Sequence, residues 1–265
     1  SKIKAIWDQT IDGPIPDEFD VHFGTVYTQE QINEALASDT PLELVPHQDT
    51  NGHGTFLASV AGGRGTGAAA GAAPDAEIIA VKLRKAAPYY IEKFVIPPEQ
   101  ENAFSSSDVM LGVRFIYLAS QALGRPVSIC LGVGTNFGGH DGTTRLENHI
   151  GFLSNTLGVC FCTASGNEAN TRHHTMGRLL ADNETQDIDV QAGPGARTMN
   201  VLLSYQGWDT ISVSLRSPTG ETTGRITFDA GTIYVKRLVF ENATVTINYQ
   251  EDINRFVIIQ VRDIT

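Results

Sequence analysis

A chain of 265 residues has room for one large domain or two smaller ones, and 41% hydrophobic against 18% charged residues excludes global disorder. The net charge of −11, with no basic cluster, disfavours nonspecific nucleic-acid binding and adhesion to anionic membranes. No apolar run reaches the roughly 18 residues of a membrane span.

The opening residues Lys2 to Trp7 read as a strand ending at Asp8, not as a secretion signal. Thr28-Gln29-Glu30-Gln31 has capping-box spacing and predicts a short helix through Leu36. His53 opens a small-residue helix that should stop at Gly62-Gly63, with Ala58, Ala61 and Gly62 allowing close packing behind it. Glu77 to Leu83 reads as a buried strand, and Pro97-Pro98 marks a loop. A helix is expected from Ser107 or Asp108, with Val109, Met110, Val113, Ile116, Tyr117 and Leu123 as its apolar stripe and Gly124 and Pro126 as its stop. Val127 to Leu131 is a further strand, Leu146 to Leu157 a helix, and Gly158 to Ala164 a strand that ends at Ser165-Gly166-Asn167. Short apolar strands alternating with helices predict an α/β fold with a parallel sheet covered on both faces. Cys130, Cys160 and Cys162 all lie in these apolar runs, which predicts buried thiols and leaves the compartment open.

From about Asp187 the pattern changes to strands without helices. Thr198 to Tyr205, Thr210 to Arg216, Arg225 to Phe228, Tyr234 to Phe240, Thr244 to Tyr249 and Arg255 to Val261 are the candidates, separated by turn signals such as Ser217-Pro218-Thr219-Gly220. This predicts an antiparallel sandwich or jelly-roll segment. The expected division is therefore 1–180 and 181–265.

Three positions carry chemistry. Asp8 ends an apolar strand, His53 stands between Gly52 and Gly54 at a helix start, and Asn167 follows a strand and a small turn. Sites in open parallel sheets form outside the carboxyl ends of strands, where residues distant in sequence converge. A carboxylate there orients an imidazole, the imidazole takes a proton from a hydroxyl nucleophile, and an amide stabilises the oxyanion. Those are three of the four parts of a serine acyl-transfer site. Taken singly, each residue has an ordinary alternative as a cap, a surface histidine or a turn former.

The order and local contexts of the three resemble the subtilisin-like serine proteases. The segment from His53 to Gly62 resembles the family's His-Gly-Thr-x-x-Ala-x-x-x-Gly motif, Gly71 to Lys82 the segment that follows it, and Ala164 to Glu168 the oxyanion-asparagine motif. Ile6-Trp7-Asp8-Gln9-Thr10, Asn51 to Ala58 and Gly138-Gly139-His140-Asp141-Gly142 resemble the clostridial germination-type branch. The resemblance implies that Asp8 and His53 are triad members, that Asn167 donates to the oxyanion, and that their side chains converge on one cleft, with Asp8 within hydrogen-bond reach of His53. It implies that Leu131-Gly132-Val133 offers an edge to an extended peptide, which main-chain pairing makes physically sensible, and that Ser165-Gly166 walls the adjoining pocket. It further implies a jelly-roll insertion as the home of the β-rich segment, a protein or peptide substrate, a propeptide or a further C-terminal part as partner, and a secreted or spore-associated bacterial setting.

Two departures stand out. Asp8-Gln9-Thr10 replaces the usual Asp-Ser/Thr-Gly, and Gly-Thr-Ser-x-Ala, the nucleophile motif, occurs nowhere: Gly-Thr pairs such as those at Gly24, Gly54, Gly65, Gly142 and Gly231 are not followed by serine. The expectation is a fragment of an endopeptidase whose nucleophile lies outside these residues and which is inactive alone. Its rivals are a pseudoprotease that binds a partner and an enzyme whose serine comes from a second polypeptide. His140-Asp141 reads as a turn before a metal or substrate site, and His173-His174 as a loop pair. The resemblance allows for calcium, but no segment has calcium-loop spacing, so no metal is assigned and no cofactor is expected.

Overall fold

The computed structural model describes residues 1–65, 70–94, 96, 102–227, 231–239, 242–251 and 255–264. Pro97-Pro98, and the strand ends expected at Phe228 and Phe240, lie outside these residues. The chain divides into two units. The first comprises Ser1–Pro88, Pro98–Gly134 and Asn148–Ser165; the second comprises Tyr89–Pro97, Thr135–Glu147 and Gly166–Thr265.

The first unit is built around β1 (Ile3–Asp8), which pairs antiparallel with β2 (Thr25–Thr28) on one side. Alternation along β1 aims side chains at two separate cores. Ala5 and Trp7 pack with Val21, Val26 and Phe115 on one face, whereas Ile6 packs with Tyr27, Ile32, Ala35 and Val45 on the other. Ile32 and Ala35 come from helix α1 (Gln29–Ala37). Thr28 caps α1 through the reciprocal bonds that the sequence spacing predicts, its own N–H donating to Gln31 Oε1 at 2.9 Å. A one-turn helix, α2 (Pro41–Leu44), follows, and then α3 (His53–Gly62). Lys2 Nζ closes the end of α3 by donating to the carbonyls of Gly62 and Pro74.

Strand β3 (Ile78–Lys82) lies parallel to β1 on the side away from β2. The register slips between Ile3 and Ala5, and the extra residue brings Ile3 to the face that Ile6 occupies. A short helix, α4 (Pro88–Lys93), precedes α5 (Ser106–Ala122), whose Ser105 cap accepts from Ser107 N–H at 3.3 Å. Val113 of α5 packs with Ile129 of β4 (Val127–Leu131) and Leu153 of α6 (Arg145–Ser154). Strand β5 (Val159–Thr163) pairs parallel with β4, residue for residue from Val127↔Val159 to Leu131↔Thr163.

The architecture is α/β, but the parallel pairing is small. Strands β1 and β3 belong to a mixed three-stranded sheet, and β4 and β5 form a separate two-stranded one. The three-stranded sheet is covered on both faces, since β2 and β3, like β1, send alternate side chains into both cores. Helices α5 and α6 cover the β4–β5 face that carries Val127, Ile129, Leu131, Val159 and Phe161. The opposite face carries Ser128, Cys130, Cys160 and Cys162, all exposed. The thiols expected to be buried are therefore free and exposed, because an apolar run fixes a strand and says nothing of how many faces other elements cover.

In the second unit, β6 (Thr198–Tyr205), β11 (Arg255–Arg262), β10 (Ala243–Glu251) and β9 (Ile233–Leu238) form an antiparallel sheet in that order. Val245, Ile247 and Tyr249 of β10 pack with Val257, Ile259 and Val261 of β11 on one face, as a period of two requires. The hairpin-like pair β7 (Ser212–Val213) and β8 (Ile226–Thr227) adds Val213 and Ile226 to this core. Tyr249 Oη donates to the Ile226 carbonyl at 2.7 Å, giving its buried hydroxyl a partner. The predicted strand over 210–216 shortens to two residues of β7. No helix among the described residues is long and apolar enough to cross a membrane.

Candidate functional site

Asp8 is the last residue of β1 and is fully buried. Its carboxylate is well supplied with donors. Oδ1 accepts from Thr10 N–H at 2.8 Å and Thr10 Oγ1 at 2.5 Å. Oδ2 lies 2.7 Å from His47 Nδ1 and 3.5 Å from Lys82 Nζ. Burial opposes ionisation here, but the bonds from His47 and Thr10, together with the Lys82 charge, outweigh it and lower the pKa from 3.8 to about 2. The folded value lies below the unfolded one, so the stabilisation is full above the unfolded pKa and is lost as pH falls through about 2. It amounts to about 2 kcal/mol. Urea unfolding of the wild type and of Asp8→Asn at about pH 5 and about pH 2 should show a gap that closes by this amount on acidification; a gap independent of pH removes the ionised carboxylate from the account.

The unusual Gln9-Thr10 pair has a structural role. Thr10 supplies both bonds to Oδ1. Gln9 is buried, donates from Nε2 to the Asp108 carbonyl at 3.1 Å and accepts from Arg84 N–H at 3.2 Å. It thereby ties the end of β1 to the residues after β3 and to the start of α5. Arg84 grips the buried Asp108 carboxylate with two bonds of 2.8 and 3.0 Å.

His53 is the first residue of α3 and is exposed. The chain enters the helix through Gly52 at φ +87, a left-handed conformation that glycine adopts without steric cost. Asp49 fastens this entry: its carboxylate accepts from Gly52 N–H (2.8 Å), Thr55 N–H (2.9 Å), Thr55 Oγ1 (2.8 Å) and Asn51 N–H (3.1 Å). Those bonds hold the Asp49 carboxyl well below the usual carboxylate range.

The imidazole of His53 lies against Gly132. A methyl group at Gly132 would stand 3.2 Å from His53 Cε1 and 2.2 Å from Leu57 Cδ1, so only glycine fits without displacing α3 side chains. Leu131-Gly132-Val133 leaves β4 beside Thr163-Ala164-Ser165, which leaves β5, since Leu131 and Thr163 are register partners. The first unit thus gathers His53, Gly132 and the ends of β4 and β5 at one place. Gly132→Ala should push aside the end of the Leu57 side chain and the His53 ring, at little cost in stability because both side chains can give way. Comparison of His53 side-chain NMR shifts and unfolding midpoints checks this; an unchanged His53 environment contradicts the packing.

Asp8 and His53 are not bonded to each other. The histidine on Asp8 is His47, six residues earlier in the loop that enters α3. The expected Asp8–His53 bond is replaced in this structure because His47 Nδ1 already occupies Oδ2. Nothing in the sequence singles out His47, which stands between Pro46 and Gln48 without periodicity or motif.

Gly166 and Asn167 belong to the second unit. Gly166 has φ +88 with open space around it, and Asn167 is exposed in the bend that follows. Glu168 organises this segment. Its carbonyl accepts from Thr171 N–H at 2.9 Å and Thr171 Oγ1 at 2.7 Å, and its carboxylate accepts from Asn136 Nδ2 at 2.8 Å and faces His173 Nδ1 at 3.3 Å. The Asn136 and His173 bonds lower the pKa of Glu168. The His140 and His174 rings stack at 5.2 Å, and Asp141 Oδ1 accepts from Thr143 N–H and Oγ1, as a turn residue does. Among the described residues no three His, Cys, Asp or Glu side chains converge as a metal site would require.

No protein-family model matches the sequence, and no curated protein is a significant sequence match. Among solved structures, the Clostridium perfringens CspB protease is similar over 100% of this chain, with a TM-score of 0.76 and 25% identity. The present chain spans about half of that protein's chain (52%).

Proposed function

We propose that these residues are part of a subtilisin-like serine endopeptidase of the clostridial germination type. The observation that carries this reading is the likeness to the CspB protease along the whole of the present chain. The packing of His53 against Gly132 supports it, since the reading needs the base beside the peptide-binding strand. In this reading His53 takes the proton of an attacking serine and returns it to the leaving amine. Asp8 holds the correct tautomer and stabilises the imidazolium, and Asn167 donates to the tetrahedral oxyanion. Leu131-Gly132-Val133 pairs with the substrate backbone, and Ser165-Gly166 lines the pocket for the side chain before the scissile bond. The serine lies outside these 265 residues, and 181–265 is part of a jelly-roll insertion. A protein or peptide is the substrate, a propeptide or a C-terminal part is the partner, and the setting is secreted or spore-associated.

The test is a longer form of the protein that carries a Gly-Thr-Ser-x-Ala segment. Such a form should cleave an unstructured protein substrate and label with a fluorophosphonate, while the 265-residue chain does neither. A full-length form that lacks the segment, or that carries it and never labels, defeats the reading.

One observation favours a second reading. Asp8 is engaged by His47 and not by His53, an arrangement that a binding module derived from a protease can keep permanently, whereas a triad has to leave it before it works. In that case the fold serves as a non-catalytic partner-binding module, and the same labelling experiment gives no signal in any form.

A further inference from the structure

We infer that His47 is the resting occupant of this site's carboxylate: it holds Asp8 Oδ2 in the resting state, and His53 gains that oxygen by displacing it. The inference rests on the reading of Asp8 and His53 as triad members, and its physical basis is a shortage of acceptor positions. An ionised carboxylate offers about four lone-pair sites. Thr10 takes both at Oδ1, and Oδ2 faces His47 at 2.7 Å and Lys82 at 3.5 Å. No uncontested position remains for a second imidazole. Asp8 is fully buried, so bulk solvent does not reach it and the groups that the fold places beside it set its partner.

The two histidines are chemically equivalent donors on one loop, held from different sides. Lys82 Nζ donates to the Gln48 carbonyl at 2.8 Å and so pins the backbone next to His47 over the end of β3. Asp49 pins the backbone around His53 at the start of α3. The exchange leaves both pins in place: His47 swings off Oδ2, and His53 takes its position as the triad reading requires. The bonds broken and formed are alike, so a modest preference decides the occupant. His47 is mostly covered in its present position, whereas His53 is exposed. A peptide laid along Gly132 would cover His53 and favour its turn toward Asp8. The groups around the shared oxygen are Lys82 from β3, Thr10 after β1, and Tyr27 from β2, whose hydroxyl pKa is raised by burial first and by Asp8 in addition.

The test is the ring N–H of the histidine bonded to Asp8, read by 1H–15N NMR on the uniformly labelled 265-residue chain. In the wild type the downfield Nδ1–H signal should belong to His47, and His53→Ala should leave it in place. His47→Ala, and His47→Gln, which keeps bulk but has no donor at the Nδ1 position, should both transfer the signal to His53. His47→Asn retains a donor at that position and should leave His53 without one. A wild-type signal on His53, or a folded His47→Ala or His47→Gln variant in which His53 gains none, overturns the inference. So does failure of both variants to fold, since a contact whose loss unfolds the chain is not exchangeable. Cleavage by the serine-bearing form tests the enzymatic reading separately. Transfer without cleavage removes the protease and leaves the exchange, whereas cleavage without transfer removes the exchange alone.

Discussion

Replacing Trp7 with alanine is expected to lower the stability of the first unit by about 3–5 kcal/mol, the range for a large aromatic side chain removed from a closed core. Trp7 is completely buried at the centre of the three-stranded sheet. Its ring meets Phe23 at 5.2 Å and Phe115 at 5.4 Å, both tilted, and its Nε1–H donates to the Phe23 carbonyl at 2.9 Å. The substitution therefore opens a cavity, removes two aromatic contacts and leaves a carbonyl without its donor. Domains of this size have total stabilities of roughly 5–15 kcal/mol, so a loss of this magnitude is a large fraction of the whole. Trp7→Phe separates the terms: it retains most of the ring packing and loses the indole donor, so its effect should be clearly smaller. Because the chain has two units, a single transition cannot be assumed. Hydrogen exchange resolved by residue is the suitable measurement, with protection lost in β1, β3 and α5 and retained in β6, β10 and β11. A shift of less than about 1 kcal/mol would mean that the site collapses around the smaller residue and that Trp7 is not the keystone of this sheet.

The same strand shows what the sequence makes legible. Local signals survive well. The Thr28–Gln31 capping box starts α1 as its spacing requires, and the apolar runs at 127–131 and 198–205 become β4 and β6 with those limits. These features depend on residues within one turn or one strand of each other. Strand β2 has only four residues and runs directly into the capping box, so its apolar Val26 and Tyr27 merge with the helix signal. The misreading of the cysteines has another origin. Cys130 and Cys162 face each other across β4 and β5, in runs apolar enough to suggest burial. Whether a face is covered depends on helices elsewhere in the chain, and here α5 and α6 cover only the other one.

The candidate site divides in the same way. His53 and Gly132 are marked by motifs, and the structure brings them together. His47 is found only in three dimensions, because its partner Asp8 is 39 residues away and no local pattern records the contact. Thr10 falls between these cases. It follows Asp8 by two residues, a spacing at which a carboxylate accepts from the backbone in a turn, but the preceding Gln9 obscures the usual motif.

If a longer form of the protein carries the proposed serine, His53→Ala in it should reduce kcat on the order of 10⁴-fold or more, with little change in KM. The size follows from the role. An unactivated hydroxyl is a poor nucleophile near neutral pH, and in the proposed reading the imidazole returns the proton that the leaving amine needs. The small effect on KM follows from where the proposed reading holds the substrate, since backbone pairing along Leu131-Gly132-Val133 would not use the imidazole. Stability should change by no more than about 0.5 kcal/mol, the usual size for an exposed substitution. The Asp49 bonds that start α3 run to Gly52, Thr55 and Asn51, and they remain in the variant. A large loss of rate in a chain of unaltered stability therefore isolates chemistry from folding. Asp8→Asn gives the complementary result, a loss of rate joined to a loss of stability, because Asp8 also anchors His47 and faces Lys82. His47→Ala distinguishes the two histidines. If His53 is the base and His47 the resting occupant of Asp8, rate should be maintained or rise in His47→Ala while it collapses in His53→Ala. The reverse order, with cleavage lost in His47→Ala and kept in His53→Ala, would transfer the role of base to His47 and leave the glycine-flanked histidine as a helix-start residue packed on β4.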